Sequence, residues 1–454
     1  MSKTKVSVRM HAHPLAAEET LVYVSQNVIR RWKIPVREPV ELRFGAARET
    51  VKVTAIPTRS ELRLSPELMQ RFGLPAQGTT LRLAYRQAAR AIRIGPLLGV
   101  MIPKVTQTPG RRFGIITPFC REVTEACRTQ GAFVYFFTPD NARSTRDTID
   151  GWSLHGHEYN ASFPVPDVIY NRLPSRKLDG KTGLQEFLNT AKSKWNTSVF
   201  NEKYLDKTEV FHALKGCAGV VRYLPESWPF TGAVQLKSML GRYNSVFLKP
   251  IRGSLGKGII RITRSKSGLT LSSSGTGGVQ KRVFATLPAL IKAVSGKLKK
   301  NRYQIQQGLD LITVGGRPVD FRALVQKTAG GVWKVTSIVA RTAGTNRFVS
   351  NVAQGGTVGT VAQTVAKTNL AAGRTGLTAR LQHAALSIAK CVDERIPAHF
   401  GELGVDLAVD RTGRVWLLEV NSKPSKNDSS LLSDQKVRPS VRHLVRYARH
   451  LTNL

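Results

Sequence analysis

Acidic residues are scarce in this 454-residue sequence: 30 Asp and Glu stand against 69 Lys and Arg, for a net charge of +39. From Ser227 to Leu309 there is no acid at all but there are 15 Lys and Arg, and acids are missing again from Phe321 to Val392. Such a balance points to a polyanionic partner such as nucleic acid, an anionic polymer or a membrane surface. Residues 1–95 carry 17 basic and 7 acidic side chains, close to their share of the total, so no single basic arm accounts for the charge. Cysteine is scarce too. Cys120, Cys127, Cys217 and Cys391 form no C-x-x-C pair and no metal-ligand spacing, and they read as reduced thiols. His11/His13 and His155/His157 have nothing nearby to complete a metal site and read as surface histidines. No apolar run approaches the roughly 18 residues that span a bilayer, and no apolar stretch backs the basic N-terminal residues as in a secretory signal. The expectation is a soluble, cytoplasmic protein of about two to four domains.

What is present begins with a duplication. The segment from Val22 to Pro35 recurs from Leu62 to Pro75 at a constant offset of 40 residues, matching Ser25 with Ser65 and Pro35 with Pro75. Each copy reads as a strand, a short helix capped by its Ser, and further strands such as Val40–Phe44 and Thr80–Leu83. Two copies are too few for a solenoid; two interleaved halves closing a small barrel, of double-psi type, are expected over residues 1–94.

From Gly95 the pattern turns α/β, with strands expected at Leu97–Ile102, Phe113–Thr117, Ala132–Phe137 and Asp167–Asn171 and a helix at Pro118–Gln130. This stretch, residues 95–204, reads as a leading domain. Residues 205–430 hold the remaining motifs, divided into a lid over about 205–305 and a metal-site subdomain over about 306–430. Residues 431–454 end in a basic helix, Ser440–Leu451.

Phe247-Leu-Lys-Pro250 followed by Arg252-Gly-Ser-Leu-Gly-Lys-Gly258 is a strand, a lysine and a glycine-rich turn. Gly253, Gly256 and Gly258 let backbone N–H groups turn inward around phosphate oxygens, and Lys249 and Lys257 supply positive charge. The spacing is neither a P-loop nor a dinucleotide fingerprint, and alone it reads first as a plain hairpin. Further on, Gly404–Val409 and Val415–Val420 form a hairpin around Asp410-Arg-Thr-Gly413. Asp406 can lie opposite Glu419, and Asn421 shares a face with Glu419. Two carboxylates and an amide around one point suit Mg²⁺, which takes few protein oxygens and leaves room for phosphates.

Together these phrases, with Pro166-Asp-Val-Ile-Tyr-Asn-Arg172, Gln306-Gln-Gly308, Arg317-Pro-Val-Asp-Phe-Arg322, Asn351-Val-Ala-Gln-Gly-Gly356 and Trp416-Leu-Leu-Glu-Val-Asn-Ser-Lys-Pro424, make a specific set. Over about residues 95–430 the chain resembles the ATP-grasp superfamily and, within it, the endospore coat-associated YheC/YheD family. The resemblance implies an α/β (α+β) ATP-grasp fold with a leading α/β domain and the duplicated barrel in front. It implies ATP and two Mg²⁺ ions as cofactors. Lys207 and Lys249 match the two lysines near the nucleotide phosphates. Gly253, Ser254, Gly256, Lys257 and Gly258 match the mobile phosphate loop, and Gln306, Gln307 and Leu309 fall where the hinge reads adenine. Asp406, Glu419 and Asn421 match the metal ligands, with Glu419 bridging; Asp320, Arg322 and Arg341 fall in the floor near the γ-phosphate and the acceptor.

In such ligases a carboxylate attacks the γ-phosphate and an amine or similar nucleophile captures the acylphosphate, so the protein supplies position and charge. The expected function is an ATP- and Mg²⁺-dependent ligase whose partners are a small-molecule carboxylate and an amine or peptide-like acceptor. The alternatives are a non-catalytic spore coat protein that keeps a nucleotide fold, with coat proteins as partners, and a polyanion-binding module. Spore coat residence is what the resemblance implies for localisation.

Overall fold

The computed structural model describes residues 2–10, 21–252, 258–266, 268–275, 278–345, 355–371, 373–425 and 437–454. Its strands fall into four sheets. The first is a closed barrel in the order Ser2–Met10, Glu61–Leu64, Leu21–Ser25, Ala47–Ile56, Pro39–Phe44, Ala91–Gly95, Thr79–Arg86 and back to Ser2–Met10. The two copies interleave: Glu61–Leu64 of the second pairs with its counterpart Leu21–Ser25 of the first. Their helices, Gln26–Trp32 and Pro66–Arg71, differ at the start. Ser65 Oγ accepts from Leu68 N at 3.3 Å, as a cap should. Ser25 does not cap; its hydroxyl accepts from Glu61 N at 2.6 Å and ties the second copy to the first.

The barrel shares one apolar core with the sheet that follows. That sheet runs in the order Tyr159–Pro164, Thr148–Ser153, Phe133–Phe137, Leu97–Met101, Val168–Asn171, Ser198–Phe200. Its inner strands pair in parallel and are buried along their whole length, as parallel strands covered on both faces must be. Phe44 of the barrel meets Phe133 at 6.3 Å between ring centroids, and a single cluster of buried side chains extends from Val6 to Val199. The other face is closed by helix Thr117–Gln130 and by helix Pro439–Thr452, whose Val441, Leu444, Val445 and Tyr447 pack against Leu98, Val100 and Val123. The basic helix therefore has an apolar side, and it belongs to the leading sheet. Arg438 holds it there through Glu122 at 2.6 Å.

Besides the Ser25 cap, three expectations need correction. Phe113–Thr117 is not a strand: Phe113 N donates to Thr117 Oγ1 at 3.1 Å, and a short turn Gly114–Ile116 leads into the helix that carries Pro118 in its first turn. Cys217 and Cys391 are not free thiols but a disulfide across 174 residues of sequence, so only Cys120 and Cys127 remain reduced. His155 is not at the surface: it is buried against Phe133, bonds Thr79 at 2.7 Å, and burial pulls its imidazole down to about 4. His11 and His13 lie outside the described residues.

The last two sheets are antiparallel. One runs Ser227–Pro229, Tyr303–Gln307, Ser245–Pro250, Ile260–Ser265, Gly268–Gly275, Gly278–Phe284, backed by helices Ala233–Arg242 and Leu287–Lys300. It is built from the acid-free stretch. The other, here called the floor, runs Thr357–Gly359, Trp333–Thr342, Arg317–Lys327, Glu402–Val409, Val415–Asn421, backed by helix Leu377–Arg395. No helix among the described residues is long and apolar enough to cross a membrane.

Deleting residues 1–94 would strip cover from Leu97, Phe133, Tyr135 and Phe163, all fully buried in the shared core. The truncated chain is expected to bind an apolar dye and to melt well below the full chain. A truncation that melts like the full chain would show that the leading sheet folds without the barrel.

Candidate functional site

On the floor, three cross-strand pairs bring five of the expected residues to one face. Asp320 sits opposite Arg341, Arg322 opposite Asp406, and Asp406 opposite Glu419. Side chains paired this way start about 4.5–5.5 Å apart at Cβ, so opposite charges meet without long reaches. Arg341 Nε donates to Asp320 Oδ1 at 2.6 Å, and its Nη2 donates to Asp406 Oδ1 at 3.0 Å. Arg322 grips Asp406 with a fork, Nε on Oδ1 and Nη2 on Oδ2 at 2.9 Å. Asn421 Nδ2 donates to Asp406 Oδ2 at 3.2 Å. Burial pushes the Asp406 carboxyl up, but Arg322 and Arg341 outweigh it and hold the group below its ordinary value.

Lysines enter from two sides. Asp206 caps helix Lys207–Lys215 by accepting from Thr208 N at 2.9 Å. The cap sets the first residue of the helix where Lys207 Nζ reaches Glu419 Oε1 at 3.0 Å. Lys249 descends from the facing sheet and donates to Gln306 Oε1. Burial pulls its ammonium down to about 8; Glu419 and Asp406 oppose the shift, and Lys207 adds to it. Lys249 thus shares one electrostatic environment with the floor carboxylates.

The hinge residues are placed differently. Gln306 is buried and passes its amide from Lys249 to Ser227 Oγ, at 2.8 Å for the second bond. Gln307 Oε1 accepts from Glu226 N at 2.7 Å. Both glutamine side chains brace the strands, and Leu309 follows half-buried. Between them Gly308 is required by space: a Cβ there would lie 1.9 Å from Ser245 Oγ. Gly253, Ser254, Gly256 and Lys257 lie outside the described residues; Gly258 is described, with φ +76°.

Sequence reasoning assigned no role to the side chains that anchor the metal-ligand segment to the leading sheet. Arg172 donates to Pro424 O at 3.0 Å, and Lys423 makes a buried pair with Asp179 at 2.8 Å. Glu402, wholly buried, accepts from Tyr170 and from Gln326 Nε2, the latter at 3.0 Å. Gly404 lets Pro424 pack close, since a Cβ would stand 2.9 Å from Pro424 Cβ and 3.5 Å from Arg322 Cδ. The Tyr170 and Arg172 phrase was visible in the sequence, but no local pattern shows that it reaches across to residue 424.

Asp406, Glu419 and Asn421 offer oxygen donors only, the chemistry of a hard cation, and so fit Mg²⁺. Among the described residues no group of three or more His, Cys, Asp or Glu gathers to hold a metal, so any such site rests on two carboxylates and an amide.

Because the folded state disfavours charged Lys249, the unfolded chain keeps its proton to a higher pH. Between about 8 and 10.5 the unfolded state binds more protons, so stability should rise with pH in that window. Urea unfolding at both ends of the window should show the wild type gaining on Lys249→Met. A constant difference between the two proteins would mean that Lys249 titrates normally.

The YheC/D-like ATP-grasp family matches residues 196–451, more than half of the chain. The endospore coat-associated protein YheD of Bacillus subtilis (strain 168) is 28% identical over 339 residues, 74% of this chain and 74% of its own length. YheC of the same organism is 24% identical over 302 residues, 66% of this chain and 81% of its own. Among solved structures, D-alanyl-alanine synthetase A from Vibrio cholerae O1 gives a TM-score of 0.47 at 12% identity, covering 79% of this chain and 99% of that one. The ATP-grasp ligase PsnB complexed with minimal precursor, Mg and ADP gives 0.44 at 12% identity, with the same coverage. With the residue 196–451 match spanning both antiparallel sheets and every described candidate site residue, the chain belongs to the YheC/D-like ATP-grasp family.

Proposed function

We propose that the protein is an ATP- and Mg²⁺-dependent ligase that joins a carboxylate to an amine or similar nucleophile. The observation that carries this reading is the floor array, in which Asp406 and Asn421 bond with each other and Asp406 with Arg322 and Arg341, Glu419 beside them pairs with Lys207, and Lys249 faces them from the opposite sheet. Lys207, Lys249 and the Gly253–Gly258 turn would hold the phosphates, and the backbone of Gln306, Gln307 and Leu309 would meet the adenine. Asp406, Glu419 and Asn421 would hold two Mg²⁺ ions, which when bound would neutralise phosphate oxygens.

The protein's own cations have a second role. Asp406 gives both oxygens to guanidinium groups, so it is not free for a metal until Arg322 and Arg341 find another anion. An incoming triphosphate is that anion, and Arg322 and Arg341 can move their donors from Asp406 to it. The substrate carboxylate oxygen then attacks the γ-phosphorus and ADP leaves. The amine attacks the resulting acylphosphate carbon, phosphate leaves, and the nitrogen gives up its proton to the departing phosphate as the amide forms. No side chain is consumed, so position and charge carry the catalysis.

Two additions rest on particular observations. Exposed Lys237, Arg264, Lys266, Lys281, Arg282, Lys292 and Lys297 on the acid-free sheet and its helices favour weak, salt-sensitive contact with polyanions. The names of YheD and YheC favour residence with the endospore coat, where coat proteins would be its partners.

Calorimetry with ATP and Mg²⁺ should show Glu419→Gln binding at least about tenfold more weakly than wild type, the loss of one charge-assisted contact. Mg²⁺ alone should bind neither form tightly. Equal affinity in the two forms would remove Glu419 from the metal site. ADP release should be slow with water alone and rise when a carboxylate and an amine are supplied together. A broad screen with no ADP above background would favour the non-catalytic coat reading.

A further inference from the structure

A cavity of about 420 Å³ opens at the turn end of the Glu402–Asn421 hairpin. None of Asp320, Arg322, Arg341, Asp406, Glu419 or Asn421 lines it. Its walls come from three places. Arg222 and Tyr223 follow the short helix Ala218–Val221, Arg380 and His383 lie in the first two turns of helix Leu377–Arg395, and Arg414 and Val415 leave the hairpin turn.

Three arginines line the cavity, whose surface is mostly apolar, and no acid lines it with them; Arg380 Nη2 donates to Gly373 O. Among the described residues no carboxylate lies within ion-pair distance of Arg222, Arg380 or Arg414. The acids nearest in sequence, Glu226 and Asp410, are already engaged, Glu226 with Trp228, Arg242 and Tyr243. Asp410 Oδ1 accepts from Thr412 N and Arg414 N, both at 3.0 Å, and its Oδ2 accepts from Trp416 Nε1 at 2.8 Å. The first turn of the long helix holds no acid, and Gly376 gives it no side-chain cap, so its positive end adds to the same field.

The groups are also held in place. Arg414 lies 3.8 Å from the Trp416 ring centroid and donates to Arg222 O at 2.9 Å. Arg222 Nη2 donates to Tyr223 Oη at 2.8 Å, and that oxygen lies 3.2 Å from His383 Nδ1. The Cys217–Cys391 disulfide joins the residue just before Ala218–Val221 to the long helix, so two of the three walls are covalently linked. Fixed donors lose less entropy on meeting a ligand than free ones.

We infer that this cavity binds a small organic oxyanion, a phosphoryl or carboxylate group carried on an apolar body. Guanidinium forks match the planar oxygen pairs of both groups. The apolar body follows from size and lining: a bare phosphate would leave most of the cavity empty, while the Tyr223 ring, Val415 and the arginine stems offer it a surface. The site is separate from the floor array and does not depend on the ligase reading.

The test is calorimetry on the full chain, in phosphate-free buffer, with phenyl phosphate, benzoate, inorganic phosphate and benzyl alcohol as probes. The same titrations are run on Arg380→Ala/Arg414→Ala, both positions exposed, and Mg²⁺–ATP binding is measured on each protein. Saturable binding of phenyl phosphate or benzoate is expected, about tenfold weaker or more for inorganic phosphate and in the double variant, with none for benzyl alcohol. The stronger of the first two probes identifies the anionic group. Mg²⁺–ATP affinity should be the same in both proteins, which separates this site from the nucleotide site. If neither organic anion binds, or the double variant binds them as well as wild type, the inference is wrong. If the double variant melts early, Arg380→Gln and Arg414→Gln, tested singly, give the same reading.

Discussion

The floor depends on one carboxylate, Asp406, held between Arg322 and Arg341 in a buried setting. The three residues come from three adjacent strands, so their contact fixes the register of the sheet. A slip of one residue would turn both guanidiniums into the apolar layer formed by Phe321, Ala323, Val405 and Leu407. Removing Asp406 would take from Arg322 its carboxylate fork and leave Arg341 with Asp320, and breaking a buried pair of this kind costs up to about 3–5 kcal/mol. The constraint works in both directions, because the arrangement that secures the fold also stores two cations where a phosphate could claim them.

The distribution of charge between the two antiparallel sheets follows the same logic. Among the described residues, the sheet made from the acid-free stretch contributes Lys249 to the array, while the carboxylates Asp320, Asp406 and Glu419 stand on the floor. Among the described residues, the upper sheet meets its inward lysine with the Gln306 amide and the Phe247 ring, neither of them a charge. It is therefore held toward the floor by attraction to Glu419 and Asp406, and an anion placed between the sheets would meet positive charge from above and below.

The floor was legible where alternation within apolar strands left a few polar residues on one face, as with Asp406, Glu419 and Asn421. The pairing of Asp406 with Glu419 needs more than alternation. Counting back from the Asp410–Gly413 turn in strict register sets Asp406 opposite Leu418; a bulge after Asp406 takes up Leu418 and brings Glu419 into place. The duplication was legible because its 40-residue offset is a direct comparison of sequence with itself, and the interleaved barrel follows. What stayed hidden depends on distant neighbours. Nothing near Cys217 announces Cys391, nothing near His155 announces Thr79 and Phe133, and Ser25 looks like a cap until Glu61 takes its hydroxyl.

Helix Pro439–Thr452 sets an order on the making of the molecule. It is the last described element to leave the ribosome, yet its Val441, Leu444 and Tyr447 complete a layer begun by Leu98 and Val100, more than 300 residues earlier. Until it arrives, one face of the leading sheet is covered in part, by helix Thr117–Gln130, while both antiparallel sheets are synthesised. The growing chain therefore resembles a bracket opened early and closed late, with the floor and its facing sheet as the text inside. Contacts separated by so much sequence form slowly, so the nascent protein passes through a long interval in which a chaperone has more to protect than in the finished one.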